Sequence, residues 1–413
     1  MDKKRYLKHF STIFLGTFIG QVINFISYPF ITRLYSPYDF GIFTIILTTV
    51  SIIGTISCGR FDLVTQAAKF YERFAIYKLS QLINLVVSSS TVVIALVYLW
   101  FFQSKLSILA APMLGILVFL IGYCNASSYF LLKHEEYKLN SLSMLSKILF
   151  TILPQILLFY LFPNAVGLIL GLFLGYLIQA IMLLNIIKKI VVRRKVSTNK
   201  IKYVFYKYRR YLFIDTPSAL INILSASILS YTILFLYSAK DVGFYSMGFR
   251  LIGAPLSILS SSLGQVFFQK AAKSYHEKGS FWAEFKFNIS LSAVLSLLVF
   301  TGLFLLIKPF TSYYLGKEWE PAADIVIYLI PLFAVRFVVT NVSTTPLIIG
   351  KPIMLLLVNI GLVSCASLSY LLANFYSLAL NQYLLLNSFL LCVIYSGFFV
   401  YMLVSVKKLV ISR

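Results

Sequence analysis

Twelve apolar runs dominate the sequence and limit what it can fold into. A helix needs about 20 mostly apolar residues to cross the hydrocarbon core of a bilayer. A helix also satisfies its own backbone hydrogen bonds, as that core requires. The runs predict membrane-spanning helices at residues 10–32, 40–61, 80–102, 108–132, 139–162, 165–187, 212–236, 242–268, 286–308, 322–348, 353–374 and 380–405. We therefore expect an all-α membrane protein with about 12 transmembrane helices.

The composition agrees with lipid as the main solvent. Hydrophobic residues make up 60% of the 413 residues and charged residues only 12%, whereas a soluble domain carries about 25% charged residues. The basic N-terminus leads straight into the first apolar run, which is longer than the core of a signal peptide and is expected to be a retained span. The four cysteines lie singly inside apolar runs without metal-ligand spacing. We expect packing roles for them and no metal site.

Basic residues are distributed unevenly over the predicted loops. With the N-terminus inside, 28 of the 36 Lys and Arg residues fall in cytoplasmic segments and five fall in outer segments. Positive charge in short loops marks the cytoplasmic side of a membrane protein. Both termini are therefore expected to be cytoplasmic, and membrane topology explains the net charge of +23 without nucleic-acid binding.

One stretch of the sequence occurs twice, at an offset of 202 residues. Residues 34–44 read LYSPYDFGIFT and residues 236–246 read LYSAKDVGFYS. Six predicted spans separate the copies, which indicates parallel repeats about an axis along the membrane normal. Each copy is expected at the outer turn of the first hairpin in its half, where its Ser, Asp and Gly residues favour a turn and a helix start. The stretch predicts two pseudo-symmetric six-helix lobes and a scaffolding role for itself.

The predicted lobes comprise residues 1–187 and 212–413, joined by a basic cytoplasmic linker at 188–211. Ten Lys and Arg residues and no acid lie between Lys188 and Arg210. Such a cluster is typical of a topology anchor that contacts anionic lipid head groups. We expect membrane lipids, and no nucleic acid, as its partners.

Two arginines inside predicted spans are the strongest candidates for a binding site. Arg336 is predicted near the midplane of the tenth span and Arg250 in the outer half of the eighth. An ionisable residue inside a span normally faces a cavity or a partner, and the spans lack acids at mid-depth. Because guanidinium pairs well with phosphate and carboxylate, both arginines are predicted to line a cavity that binds an anion.

Four further ionisable residues are weaker candidates. Lys147 lies in the fifth predicted span, where its stem alternatively reaches the inner interface. Arg33 and Arg60 bracket the first helical hairpin and are alternatively interfacial anchors. Asp215 begins the seventh span, where an acid suits the helix dipole. We predict substrate contacts for the three basic residues, and a role for Asp215 in coupling if transport is driven by H⁺ or Na⁺.

Three blocks of the sequence resemble a known family. They are LYSPYDFG at 34–41, VGFYSMGFRLIGAPLSILSSSLGQVFFQKAAK at 242–273, and LGKEWEPAADIVIYLIPLFAVRFVV at 315–339 followed by PLIIGK. In order and spacing they are similar to the bacterial polysaccharide-transport family, the Wzx-type flippases for O-antigen or capsule repeat units. That family belongs to the multidrug/oligosaccharidyl-lipid/polysaccharide (MOP) exporter superfamily. Many members carry an acid-bearing motif after the second span. At that position this sequence is GRFDLVTQAAK, and Asp62 is its only acid.

The resemblance implies a flippase rather than an enzyme. Its expected substrate is an undecaprenyl-diphosphate-linked oligosaccharide, moved across the bacterial cytoplasmic (inner) membrane for O-antigen, lipopolysaccharide or capsule assembly. The resemblance implies a V-shaped exporter fold, alternating access and a cationic central cavity. Arg250 and Arg336 lie in the matching blocks and suit the diphosphate. Arg33 and Arg60 are expected substrate contacts by analogy with the cavity arginines of related lipid flippases. It further implies a monomer that works beside a polysaccharide polymerase and a chain-length regulator, without a cofactor.

Two alternatives belong to other functional classes. A drug exporter of the same superfamily would bind cationic compounds through membrane-embedded acids, which the predicted spans lack. A membrane-embedded polysaccharide polymerase or ligase would need catalytic groups. The three histidines, His9, His134 and His276, are far apart, and the sequence contains neither a Gly-rich phosphate loop nor a paired-acid motif.

Overall fold

The computed structural model describes residues 3–101, 110–191, 196–351 and 353–411. Part of the predicted linker, residues 192–195, lies outside the described residues. All regular structure within the described ranges is helical. The prediction of an all-α protein is therefore confirmed.

The described α-helices are numbered α1 to α15 in chain order. They are α1 (Lys3–Leu34), α2 (Pro37–Ile56), α3 (Phe61–Ala67), α4 (Arg73–Phe101), α5 (Ala110–Lys133), α6 (Tyr137–Leu158), α7 (Ala165–Val191), α8 (Thr198–Arg210), α9 (Thr216–Leu236), α10 (Ala239–Lys278), α11 (Trp282–Leu315), α12 (Glu320–Asn341), α13 (Thr345–Ile348), α14 (Ile353–Phe375) and α15 (Leu380–Ile411). Each predicted span overlaps one long helix, although the second, 40–61, extends to the start of α3 and the tenth, 322–348, extends through α13. The short helices α3, α8 and α13 were not predicted.

Ten helical segments among the described residues are long and apolar enough to cross a membrane. The helices α1 and α10 complete the predicted order of twelve and are more polar than the others. α1 contains Gln21 and Asn24, and α10 contains Asp241 and Arg250. Because polar side chains on membrane helices face protein or a cavity, these two helices are suited to line an interior surface.

The chain divides into two compact units, of which the first comprises residues 1–35 and 45–223. In this unit α7 packs closely on α6, where a methyl group on Gly171 or Gly175 would overlap Gln155 or Thr151. Small residues at this spacing let membrane helices approach each other closely. Gln155 is buried and accepts a hydrogen bond at its carbonyl from the Tyr35 hydroxyl (2.7 Å), which joins the end of α1 to the same pair.

The second unit comprises residues 36–44 and 224–413, so it contains residues 36–44 of the first copy of the repeated stretch and the whole of the second copy, 236–246. Each serine caps its helix in the same way. Ser36 Oγ accepts a hydrogen bond from the Asp39 amide at 3.2 Å, and Ser238 Oγ accepts one from the Asp241 amide at 3.2 Å. This confirms that the repeated stretch starts α2 and α10, because Ser is a preferred N-cap residue.

The two copies also contact each other within the second unit. A methyl group on Gly41 would overlap the carbonyl oxygen of Ala239, and a methyl group on Gly243 would overlap that of Pro37. One turn further along, the hydroxyls of Thr44 and Ser246 are 3.0 Å apart and hydrogen-bonded. The contact is reciprocal, and it requires glycine at the same position of both copies.

In the first unit, α8 packs on α3 and on the first turns of α4. Ile201 and Val204 are buried in a core with Phe61, Val64 and Ile76. Apolar residues at this spacing lie on one side of a helix. The contact is tertiary, and it stabilises a helix of 13 residues that would be marginal alone.

Glu72, in the turn before α4, holds α8 through two hydrogen bonds. Lys207 Nζ donates to Glu72 Oε1 at 2.5 Å, and the Tyr208 hydroxyl donates to Oε2 at 2.8 Å. Burial of the carboxylate opposes its ionisation, but the hydrogen bonds outweigh burial and keep the pKa of Glu72 below its ordinary value. Only 4% of the Glu72 side chain is exposed, so this contact excludes most of the solvent.

The reciprocal glycine contact predicts that Gly41→Ala and Gly243→Ala each destabilise the protein. The added methyl group meets a carbonyl oxygen that belongs to the backbone, and such overpacking costs about 1–3 kcal/mol. Gly302→Ala is the matched control, since a Cβ there meets nothing within 4 Å. Thermal unfolding in detergent measures the effect, and unchanged melting of Gly41→Ala would contradict the contact.

Glu72→Gln is expected to loosen α8, because Lys207 and Tyr208 then lose an anionic acceptor. The folded-state pKa of Glu72 lies below its ordinary value, so the carboxylate stabilises the fold above the ordinary pKa and stops doing so as the pH falls through the folded-state pKa. Hydrogen exchange of α8, relative to intrinsic rates, should be several-fold faster in the variant at neutral pH and equal in acid. The control is Glu277→Gln, which breaks an exposed ion pair.

Candidate functional site

The second unit contains a cavity of about 370 Å³ between α10 and α12. The lining residues are Phe249, Gly253, Leu256 and Ser260 on α10 and Phe333, Arg336, Phe337 and Thr340 on α12. On each helix these positions are three or four residues apart, so they share one face. The spacing of three or four residues along each helix therefore determines which side chains line the cavity.

Arg336 is the only charged residue in the lining that the structure describes. Its side chain is half-buried, and its guanidinium makes no hydrogen bond or ion pair with any described residue. Phe333 and Phe337 flank it along α12, and the Thr340 hydroxyl donates to the Arg336 carbonyl at 2.8 Å, which leaves the guanidinium donors available. A cation in such a low-dielectric setting attracts an anion more strongly than it would in water.

Arg250 is held differently, by aromatic faces. Its guanidinium carbon is 5.1 Å from the ring centroid of Phe40 and 5.9 Å from that of Phe43. Phe40 in turn meets the fully buried Trp319 edge to face, with ring centroids 5.7 Å apart. Cation–π contacts occupy the plane of a guanidinium and leave its N–H edges free to donate. Arg250 is not among the described residues that line the Arg336 cavity.

The other predicted basic residues lie in the first unit. Lys147 Nζ is 4.9 Å from the ring centroid of Tyr176, so this lysine has an aromatic partner on α7. Arg33 is exposed in the last turn of α1, where a cation is favourable for the helix dipole. Their roles in substrate contact stay predictions.

Arg60 and the buried Asp62 lie where the turn after α2 leads into the first turn of α3. Arg60 has a left-handed backbone (φ 60°), which is uncommon for a residue other than glycine. Arg60 Nε and Asp62 Oδ1 are buried without a hydrogen-bond partner among the described residues. Burial raises the pKa of the Asp62 carboxyl, and the Arg60 guanidinium and the Leu63 amide offset this only in part. Because strained backbone and unpaired polar groups are concentrated at functional sites, this turn is a second candidate site.

Asp215 is the last residue of a π-helical turn, Tyr211–Asp215, that connects α8 to α9. Single π-helical turns are rare and are often found at functional sites. Asp215 was predicted at the start of a span, and it directly precedes α9. The π-helical turn was not predicted. Its role in ion coupling stays a prediction.

A larger cavity of about 610 Å³ lies between α11, α12 and α15 in the second unit. Its lining is apolar apart from the hydroxyls of Ser296, Thr301 and Ser396. No charged residue that the structure describes reaches it. It therefore offers nothing that would hold an anionic group, and the smaller cavity at Arg336 is the better candidate.

Besides the π-helical turn, sequence reasoning missed two features of these sites. The aromatic partners of Arg250 and Lys147 depend on which residues of distant helices meet. The burial of Asp62 depends on α3, a helix of seven residues without a strong apolar pattern.

Among the described residues no group of three or more His, Cys, Asp and Glu residues is arranged to hold a metal ion.

Solved structures share this fold over almost the whole chain. The lipid II flippase MurJ in an inward closed conformation has a TM-score of 0.72 at 13% identity, covering 96% of this chain and 87% of that one. An inward-facing MATE family multidrug resistance transporter of the MOP superfamily has a TM-score of 0.66 at 13% identity, covering 96% and 95%. A MOP superfamily transporter from Pyrococcus furiosus has a TM-score of 0.60 at 15% identity, covering 98% and 96%. The exporter fold expected from the sequence is confirmed.

The sequence comparisons give the family. No curated protein sequence matches the chain at a significant level. A family model described as "Polysaccharide biosynthesis protein" matches residues 30–324, which is more than half of the chain. The resemblance to a polysaccharide-transport family is thus confirmed. This multi-pass membrane protein with the exporter fold belongs to the polysaccharide biosynthesis protein family.

Proposed function

We propose that the protein is a flippase for undecaprenyl-diphosphate-linked oligosaccharide repeat units. The observation that carries the proposal is the Arg336 cavity, whose guanidinium pairs with no described residue and lies inside a membrane-spanning unit. The family provides the polysaccharide context, and a lipid II flippase has the same fold. The product would serve O-antigen, lipopolysaccharide or capsule assembly at the bacterial inner membrane.

The chemistry of the cavity fits a diphosphate head group. A guanidinium donates a fork of N–H groups that matches phosphate oxygens, and charge-assisted hydrogen bonds are among the stronger ones. The phenylalanines beside Arg336 keep the surroundings weakly polar, which strengthens the attraction. The prenyl chain, being apolar, would stay in the lipid. Arg250, Arg33, Arg60 and Lys147 are further proposed contacts along the path of the head group.

The mechanism we propose is alternating access by the predicted lobes 1–187 and 212–413, with 188–211 as their linker. The protein would act as a monomer without catalytic residues or a cofactor, beside a polymerase and a chain-length regulator. Export of cationic drugs is disfavoured by the sign of the cavity charge, since its described lining contains no acid. A cation would be repelled by Arg336.

Coupling to a proton gradient is part of the proposal, and two carboxyls are candidates for it. Asp215 is the residue predicted from the sequence. Asp62 is favoured by its buried position, its unpaired Oδ1 and the raised pKa that follows from burial. A carboxyl of this kind exchanges a proton closer to neutral pH than an exposed one does. Asp62→Asn should then remove the dependence of transport on a pH gradient, and Asp215→Asn is the parallel test.

Arg336→Ala is expected to lower translocation about 10- to 100-fold, the effect of losing one charge-assisted contact. Arg336→Lys should be intermediate, because it keeps the charge and loses the fork. Proteoliposomes carrying the lipid-linked oligosaccharide provide the assay: an impermeant sugar-modifying enzyme outside reports how much substrate has crossed. Lys286→Ala, at an exposed position of α11, is the control. Full transport by Arg336→Ala at normal protein level would refute the site.

Asp62→Asn is expected to raise thermal stability at neutral and alkaline pH. The folded-state pKa of Asp62 is raised, so its ionisation opposes folding as the pH rises from the ordinary value through the folded-state pKa. The Asn variant has no carboxyl to ionise, so its melting temperature should be about 2 °C higher at neutral pH. Below the ordinary pKa of Asp, the two proteins should melt at the same temperature. Asp324→Asn removes an exposed carboxyl as a control. A lower melting temperature for Asp62→Asn at neutral pH would show that the carboxylate is stabilising.

A further inference from the structure

The outward side of α8 carries a basic and aromatic stripe. Its members are Lys202, Tyr203, Tyr206, Arg209, Arg210 and, in the π-helical turn that follows, Phe213. These positions recur every three or four residues, so they lie on one side of the helix. All six side chains are exposed, including Tyr206 at 66% and Phe213 at 67%. We call this surface the α8 stripe.

The opposite side of α8 is already occupied. Ile201 and Val204 are buried against α3 and α4, and Lys207 with Tyr208 is bonded to Glu72. The helix is therefore held in place independently of the stripe. The basic residues Lys202, Arg209 and Arg210 make no ion pair with any residue that the structure describes, and the stripe is free for another partner.

Charge in the surrounding sequence favours an anionic partner. No Asp or Glu occurs from residue 137 to residue 214, and Lys188, Lys189 and Lys200 are further basic residues of the same stretch of sequence. A surface with an excess of basic charge attracts anions from a distance of about 8–10 Å at physiological salt.

The position of the stripe favours a lipid surface over a soluble partner. Residues 198–236 form one continuous helical segment, whose apolar second part, α9, is long enough to cross the membrane. Arg209 and Arg210 therefore lie within about two turns of a membrane-spanning helix. Along the stripe the apolar Phe213 is nearest the span, followed by the arginines and then by Tyr206 and Lys202. Aromatic rings with Lys and Arg are the residues that accumulate at a membrane interface.

We infer that the α8 stripe binds the head groups of anionic phospholipids on the leaflet next to the start of α9. The arginines and Lys202 pair with lipid phosphates, and the rings of Tyr203, Tyr206 and Phe213 insert between the head groups. The first unit is thereby attached to the lipid surface through α8. This role is separate from the proposed transport of substrate and does not depend on it.

Hydrogen exchange of α8 in nanodiscs tests the inference. The full-length protein is compared in phosphatidylcholine alone and in phosphatidylcholine with a quarter phosphatidylglycerol. Exchange in residues 198–210 is expected to be about tenfold slower with phosphatidylglycerol, given the attraction of three basic residues to an anionic surface. The variant Lys202→Gln/Arg209→Gln/Arg210→Gln should show no difference between the two lipids. Lys270→Gln/Lys278→Gln/Lys286→Gln, with the same change of charge at exposed positions elsewhere, should keep the wild-type difference.

Three results would overturn the inference. The first is equal exchange of the wild-type α8 in both lipids, a comparison that needs no variant. The second is a stripe variant that still responds to phosphatidylglycerol. The third is equal protection by inorganic diphosphate added to phosphatidylcholine nanodiscs, which would make the stripe a site for soluble phosphates.

Discussion

Hydrocarbon solvates neither an open backbone group nor a charge, and this one constraint shapes both the fold and its sites. It makes the described backbone helical, and it requires each charged group inside a span to find a partner. With few acids in the spans, the partners are aromatic. Lys147 meets the face of Tyr176, and Arg250 meets the faces of Phe40 and Phe43. Among the described residues Arg336 has neither an acid nor a ring face as partner, which distinguishes its cavity.

The positions of the long helices were predictable because each depends on local composition alone. An apolar run of about 20 residues has one stable solution in lipid, whatever its neighbours are. The helix α8 was not predictable in this way. It depends on Ile201 and Val204 meeting α3 and α4, and on an ion pair between Glu72 and Lys207, 135 residues apart in the chain. Without this contact, the basic sequence of α8 is equally compatible with a helix and with a loop.

The candidate site was predictable in part, for a related reason. The depth of Arg336 and Arg250 in their spans follows from counting residues along a helix. Their surroundings follow from which face of each helix meets which neighbour, and counting does not give that. Arg250 meets Phe40 because residues 36–44 belong to the second unit, although they are far from it in sequence. Asp62 gains its unusual setting from the left-handed turn at Arg60, which no sequence pattern indicates.

The repeated stretch shows how local and tertiary requirements combine. Its serine and aspartate are explained locally, since the same N-cap starts α2 and α10. Its glycine is explained only by the contact between the copies, where Gly41 lies on the Ala239 carbonyl and Gly243 on the Pro37 carbonyl. In a reciprocal contact of equivalent surfaces, a larger residue in either copy meets the backbone of the other. The positions that the two halves share are therefore those at which both helices must start alike and approach closely, which is a requirement of packing rather than of chemistry.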